Sequence, residues 1–358
     1  MDIKFLILLF PAVWDNSVVK LLIAEYKRRS QLRPLLWDST IELPLENVYT
    51  RLKIVSRRKL AIQVKDDKVN AFNSFKAPFK GEDVMTLTDV LDENRANVFN
   101  REHDEVNVFE IFKILEKGED VMTLVEGSPG IGKTTFCLKL AYDWARGKIP
   151  TECTFPKFEF VLLLKCRDID GNIMDTIREQ LLPRDINKKT VEKLLHFMED
   201  IHNQEKILII LDGLDELPEK SQHHVDELLH RRILPFCYVL ATSRQERGID
   251  VRKRFVFDIH LEIKGFTEGD AFEYIRKHFA NIGRGHSPKG ERLITEIKDN
   301  EFLHALRSNP LNLLLLCVIY EDYEGKLPSS RSRLYQVIVL CLLRRYCAKH
   351  NQIGRAHV

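Results

Sequence analysis

From Val121 onward the apolar positions fall into two alternating patterns. Short continuous apolar runs occur in Asp120–Val125 (DVMTLV), Lys157–Asp168 (KFEFVLLLKCRD), Ile207–Leu211, Cys237–Ala241 and Phe255–Ile263. Runs of this length with β-branched and aromatic content predict strands covered on both faces. Between them the apolar positions recur at three- and four-residue spacing, which predicts helices over Lys133–Gly147, Ile173–Leu182 and Thr190–Ile201. Strands alternating with helices predict an α/β fold with a parallel five-stranded core sheet flanked by helices.

After Phe266 the strand pattern stops. Thr267 followed by Asp270 forms a carboxylate version of the capping box, and helical spacing continues through Ile294–Arg307 and Leu311–Tyr320. A small all-α domain therefore follows the sheet, and Pro310 is placed to open a helix at its first position.

The chemistry concentrates at strand ends. Gly127-Ser128-Pro129-Gly130-Ile131-Gly132-Lys133-Thr134-Thr135 has the P-loop spacing, set between a predicted strand and a predicted helix. Gly127, Gly130 and Gly132 are expected to take positive φ and turn their N–H groups inward, making an anion site with the helix N-terminus. Lys133 is expected to reach the β- and γ-phosphates and the Thr134 hydroxyl to ligate Mg²⁺. The run Ile207–Leu211 ends at Asp212, then Asp215 and Glu216, which is a Walker-B pattern. Asp212 is expected to hold Mg²⁺ through water, and Asp215 and Glu216 to orient or deprotonate an attacking water. The next strand ends in Thr242-Ser243-Arg244, where Thr242 is expected to bond the catalytic water and Arg244 to sense the γ-phosphate, a surface salt bridge being the alternative for Arg244.

Composition changes this picture little. With 358 residues, 44% hydrophobic and 30% charged, the chain suits two to three globular domains. A net charge of +2 from 55 basic and 53 acidic residues calls for no nucleic acid partner. Seven cysteines, odd in number and without a C-x-x-C pair, suit reduced core positions in a cytoplasmic protein. His223-His224 lacks further ligands at zinc spacing and is expected on a helix surface. The apolar run Phe5–Val13 is too short to span a membrane, and Asp2 spoils the basic start of a signal peptide. No stable membrane insertion is expected.

The order GSPGIGKTT, ILIILDGLDEL, LATSR, IKGF and SNPLNLLLLC resembles the NACHT domain of NOD-like receptors, within the STAND class of P-loop NTPases, over about Val121–Cys347. The doubled acidic ending after Asp212-Gly213 makes the match specific. Leu43–Lys59 looks like the segment that precedes NACHT and packs beside the nucleotide domain. The resemblance implies an uncertain N-terminal segment at 1–38, a pre-NACHT region at 39–117, the nucleotide-binding domain at 118–266 and a helical domain at 267–325. A truncated winged-helix start would occupy 326–352. It further implies ATP/ADP and Mg²⁺ as cofactors, Pro310 touching adenine, Asp212 and Asp215 coordinating metal and water, and Arg244 reading the γ-phosphate. Such receptors hold ADP in a closed monomer, self-associate through NACHT domains when ATP-bound, and act on a signalling adaptor, here unknown, in innate immunity.

Ile353–Val358 (IGRAHV) back-translates into a string similar to a sequencing-library adapter, so the natural protein is expected to continue beyond about Asn351. GEDVMTL occurs at Gly81–Leu87 and Gly118–Leu124, and only the second copy leads into a P-loop. A turnover GTPase is disfavoured, because the nearest guanine-reader string, Asn187–Thr190 (NKKT), lacks the aspartate. A nucleotide kinase, which wants an arginine-rich lid, and a nonfunctional fragment also compete with the NACHT reading.

Overall fold

A computed structural model describes residues 17–32, 43–56, 122–148, 158–282, 288–323, 325, 327–328 and 330–355. The GEDVMTL copies, Cys153 and the adapter-like tail from 356 lie outside the described residues, Met122–Leu124 excepted. In chain order the early elements are α1 (Ser17–Arg29), β1 (Gln31–Leu32), β2 (Leu43–Pro44), α2 (Leu45–Val48) and β3 (Lys53–Ser56). Then follow β4 (Met122–Glu126), α3 (Lys133–Arg146), β5 (Phe160–Lys165), α4 (Ile173–Leu181), α5 (Lys188–Glu199), α6 (Ile201–Gln204) and β6 (Ile207–Asp212). The remainder comprises α7 (Gln222–Leu229), β7 (Tyr238–Ser243), α8 (Gln245–Arg254), β8 (Ile259–Gly265), α9 (Glu268–Ile282), α10 (Pro288–Asp299), α11 (Glu301–Leu306), α12 (Pro310–Asp322) and α13 (Arg331–Arg355).

The described residues divide into two compact units, one within Ile54–Gly127 and Lys148–Ile263, the other within Asn16–Lys53, Ser128–Gly147 and Lys264–Val358. The first holds a six-stranded sheet in the order β3-β8-β4-β7-β6-β5. The pairs β4/β7, β4/β8, β6/β7 and β5/β6 are parallel. All five strands read from the apolar runs are present, and every residue of β4, β6 and β7 is buried, as expected for strands covered on both faces. The sixth, β3, adds an edge beside β8; four residues are too few to carry a periodicity of their own.

The last strand begins at Ile259, not at Phe255. Phe255 N–H is bonded to Val251 O at the end of α8, and Asp258 clamps the start of β4. Its N–H donates to Met122 O at 2.9 Å and its carboxylate accepts from Met122 N–H at 2.8 Å, so pairing starts one residue later. Because these strands run parallel in register, their carboxyl ends lie at one level: Ser243 opposite Glu126, Glu126 opposite Glu262, and Lys165 opposite Asp212.

In the second unit α1 packs on α3, with Tyr26 meeting Trp144 edge to face at 6.1 Å between ring centroids. Lys277 Nζ on α9 donates to Tyr49 O at 2.8 Å, and Lys139 Nζ on α3 lies 5.0 Å from the Tyr49 ring centre. The capping box forms: Asp270 N–H donates to Thr267 Oγ1 at 3.3 Å, and Asp270 carboxylate accepts from Thr267 N–H at 3.3 Å and from its hydroxyl. The helical stretch expected over Ile294–Arg307 splits at Asn300, whose side chain accepts from Phe302 and Leu303 N–H and starts α11. That is the ordinary asparagine preference for an N-cap over a helix interior. Among the described residues no helix is long and apolar enough to cross a membrane. Cys137, Cys166, Cys237, Cys317 and Cys341 form no disulfide and are buried, and Cys347 forms none and is exposed.

Candidate functional site

The phosphate loop from Ser128 to Thr135 belongs to the second unit. Ser128, Pro129 and Thr134 are exposed, Ile131 is buried, and Lys133 and Thr135 are half-buried. Gly130 and Gly132 have φ of 72° and 101°, the left-handed region where a side chain is strained. Gly132 is the N-cap of α3, and no side chain caps that helix end. Its first-turn N–H groups and macrodipole therefore favour an anion. Lys133 Nζ donates to Ser128 O at 3.1 Å, which places an ammonium over the loop. The N–H groups of a helix N-terminus, an ammonium and the Thr134 hydroxyl suit a phosphate chain with a hard cation.

Gly127 departs from expectation. It takes no positive φ; its N–H donates to Ser243 O at 3.3 Å, so it prolongs the β4–β7 ladder before the loop leaves the sheet. Pro310 does open α12 at the first helical position, where its missing N–H costs nothing. The residue before it, Asn309, carries no expected role yet makes the contact. Its Nδ2 donates to Pro129 O at 3.0 Å and Leu311 N–H donates to Gly130 O at 3.2 Å. A Cβ on Gly130 would lie 2.8 Å from Leu311 Cβ, so a larger residue there would push the two segments apart.

The Walker-B group stands in the first unit. Asp212 ends β6 almost buried, and its Oδ1 accepts from the Thr242 hydroxyl at 3.1 Å. The same hydroxyl accepts from Gly213 N–H at 2.8 Å. A hydroxyl has one proton, and this one is committed to Asp212, so towards a water Thr242 offers only a lone pair. Gly213, at φ 81°, turns the chain into the short 3₁₀ segment Leu214–Glu216. Arg244 N–H donates to Asp215 Oδ1 at 3.1 Å, its Nε lies 3.0 Å from Asp215 Oδ2, and its Nη2 lies 3.5 Å from Glu216 Oε1. Thr242 with Asp212, and Arg244 with Asp215 and Glu216, thus form two polar groups side by side in the chain. Cys166, just past β5, feels both: burial pushes its thiol pKa well up, and the charges of Asp212, Asp215 and Glu216 add to the rise.

A second polar cluster in this unit carries no motif. Glu126 and Glu262, at the ends of β4 and β8, are 1% and 4% exposed. Arg252 of α8 binds both carboxylate oxygens of Glu126, and the Gln245 amide donates to Glu262. A charged residue within an apolar strand run, as in TLVE and HLEIK, is its one mark in the sequence.

Comparison with known proteins agrees with the motifs. Residues 121–282 match the family model described as the NACHT domain. The human NACHT, LRR and PYD domains-containing protein 12 is 24% identical over 62% of this chain and 22% of its own length. The Bos taurus NACHT, LRR and PYD domains-containing protein 9 is 24% identical over 84% of this chain and 30% of its own. The Rattus norvegicus NLR family CARD domain-containing protein 4 is 25% identical over 63% and 21%. The chain thus spans less than a third of the curated relatives it matches. Among solved structures, Drosophila ORC bound to DNA is similar with a TM-score of 0.41 and 16% identity, over 77% of this chain and 73% of that one. Its P-loop and mostly parallel sheet agree with this match, and residues 121–282 are similar to the NACHT domains of NLR proteins.

Proposed function

We propose that this chain is the adenine-nucleotide switch of an NLR-type sensor, with a slow ATPase that resets it. In this reading the loop that Gly127 opens holds the phosphates through N–H groups beyond Gly127, up to Gly132, and through the ammonium of Lys133. Thr134 and Asp212 hold Mg²⁺, which when bound neutralises phosphate charge. Thr242 fixes the rotamer of Asp212, and Asp215 and Glu216 orient the attacking water. Thr135 extends the donor set of the first helical turn, and Pro310 borders the base.

One observation carries the switch: Arg244 is held by Asp215 and Glu216. A γ-phosphate and these two carboxylates compete for one guanidinium, so ATP and ADP differ in what they offer Arg244. A ligand shifts a conformational equilibrium only by its differential affinity for the two states, and this competition supplies one. The ADP form is the closed monomer, and the ATP form self-associates and engages a signalling adaptor in the cytoplasm. Nucleic acid has no part in this reading.

The test is the nucleotide content of the purified chain, released by denaturation and separated by chromatography, beside Lys133→Ala. Near-stoichiometric ADP, lost in the variant, is expected. A folded, empty protein that turns over ATP or GTP rapidly would make it a metabolic NTPase and overturn the switch.

A further inference from the structure

Glu126 and Glu262 are opposite one another in the β4–β8 register, and Ser243 is opposite Glu126 on the other side. Three adjacent strands therefore present a polar row at their carboxyl ends, inside an otherwise apolar sheet. A carboxylate buried this far costs several kcal/mol unless it is paired. Each carboxylate has a partner on the same helix. Gln245 and Arg252 of α8 reach Glu262 and Glu126, and Gly248 sits over the Glu126 carboxylate, where any Cβ would overlap it. Positions 245, 248 and 252 are three and four apart, which is one face of a helix. That face covers the two carboxylates of the row, with Gln245 on Glu262 and Gly248 and Arg252 on Glu126.

The match has a consequence for the residue just before the helix. Arg244 is the N-cap of α8, and its side chain is about half exposed. Its side-chain contacts are made at the tip and its N–H is bonded to Asp215 Oδ1, so the position and direction of its Cα–Cβ bond depend on that bond together with how α8 is seated. Apolar packing would hold the helix too, but without direction. A charge-assisted ion pair from Arg252 Nη1 to both oxygens of Glu126, an amide and a glycine contact constrain both its rotation and its register. The seat also adjoins the last bond of the β4–β7 ladder, because Glu126 precedes Gly127, whose N–H is bonded to Ser243 O.

We propose that Glu126, Arg252 and Gln245 are positioning residues for Arg244: they seat α8 so that its guanidinium meets the γ-phosphate. The proposal rests on the γ-phosphate role of Arg244 given above.

The experiment measures the affinities of ADP and ATPγS for the full chain with saturating Mg²⁺, by competition with a fluorescent ADP. The variants are Glu126→Gln/Arg252→Met, which removes both buried charges together, Gln245→Ala, and Arg244→Ala with and without each of these. The seating variants are expected to keep ADP affinity within about twofold and to lose about tenfold in the ATPγS-to-ADP preference, as Arg244→Ala does, with no further loss when combined. An unchanged preference, a parallel fall of both affinities, or losses that multiply with Arg244→Ala would overturn the proposal. A wild-type chain that binds neither nucleotide, or an Arg244→Ala chain with unaltered preference, would instead sink the γ-phosphate role itself. Should the charge-removing variant fail to fold, Gln245→Ala, whose side chain is only half-buried, decides the matter alone.

Discussion

The Asn309 side chain spans two segments, donating from Nδ2 to Pro129 O at 3.0 Å while its Oδ1 accepts from Leu311 and Asn312 N–H at 3.0 and 3.2 Å. One amide thereby caps α12 and ties that helix to the phosphate loop. Any motion that withdraws α12 breaks a bond to the loop, so the loop and the helical segment share one equilibrium.

Asn309→Ala should therefore act twice. Loss of the cap costs about 1 kcal/mol, with the loop bond adding up to a similar amount. We expect a lower melting temperature together with faster release of fluorescent ADP. A release rate equal to wild type in a destabilised protein would show that the bond to Pro129 does not restrain the loop.

Two glycines near the start of α9 should respond in opposite directions. Gly265 has φ 95°, and a Cβ there would run into Ser308 O, which already accepts from Phe266 N–H at 2.8 Å. Gly265→Ala is expected to lose more than about 1 kcal/mol in urea unfolding. Gly269 lies in α9 with open space around its would-be Cβ. Gly269→Ala should gain roughly 0.5–1 kcal/mol.

Thr242→Val keeps the shape of the side chain but removes one donor to Asp212 and the acceptor of Gly213 N–H. Losing these two bonds costs about 1–3 kcal/mol. ATPase activity should fall together with stability, and Thr242→Ser should restore most of both. Full activity in the valine variant would remove Thr242 from the machinery.

Burial and the nearby carboxylates hold the Cys166 thiol protonated to unusually high pH, and burial with the Glu321 charge does the same for Cys317. Above the ordinary thiol range the unfolded chain releases protons that the folded chain retains. Their contribution to stability is therefore full below that range and declines as pH rises through it towards the folded values. Cys166→Ala should flatten the alkaline limb of the stability profile. At pH 8 iodoacetamide should label exposed Cys347 first among the described cysteines and spare Cys166 and Cys317 until unfolding. Prompt labelling of Cys166 in the native protein would contradict its burial.

Much was legible from the chain itself. The P-loop, the Asp212–Glu216 run and the Thr267/Asp270 cap are motifs whose members lie within nine residues, so their spacing implies their local geometry. The five long strands were visible because each is a continuous apolar run, and Pro310 announced a helix start through its fixed φ. Phe255 was misplaced because its hydrophobicity suits a strand, while the Asp258 clamp that delays the strand is made to Met122, 136 residues away.

What lay beyond the sequence depends on which strands become neighbours. Glu126 and Glu262 read as two unrelated charges until β4 and β8 pair in register, and Arg252 as one more surface cation until α8 lies across them. Asn309 is an ordinary helix cap until its second amide atom meets Pro129, 180 residues earlier in the chain. Local spacing and propensity determine elements and motifs, because both are written within a few residues. Register, seating and capping across long separations are settled only by packing, since each depends on side chains that no short window contains together.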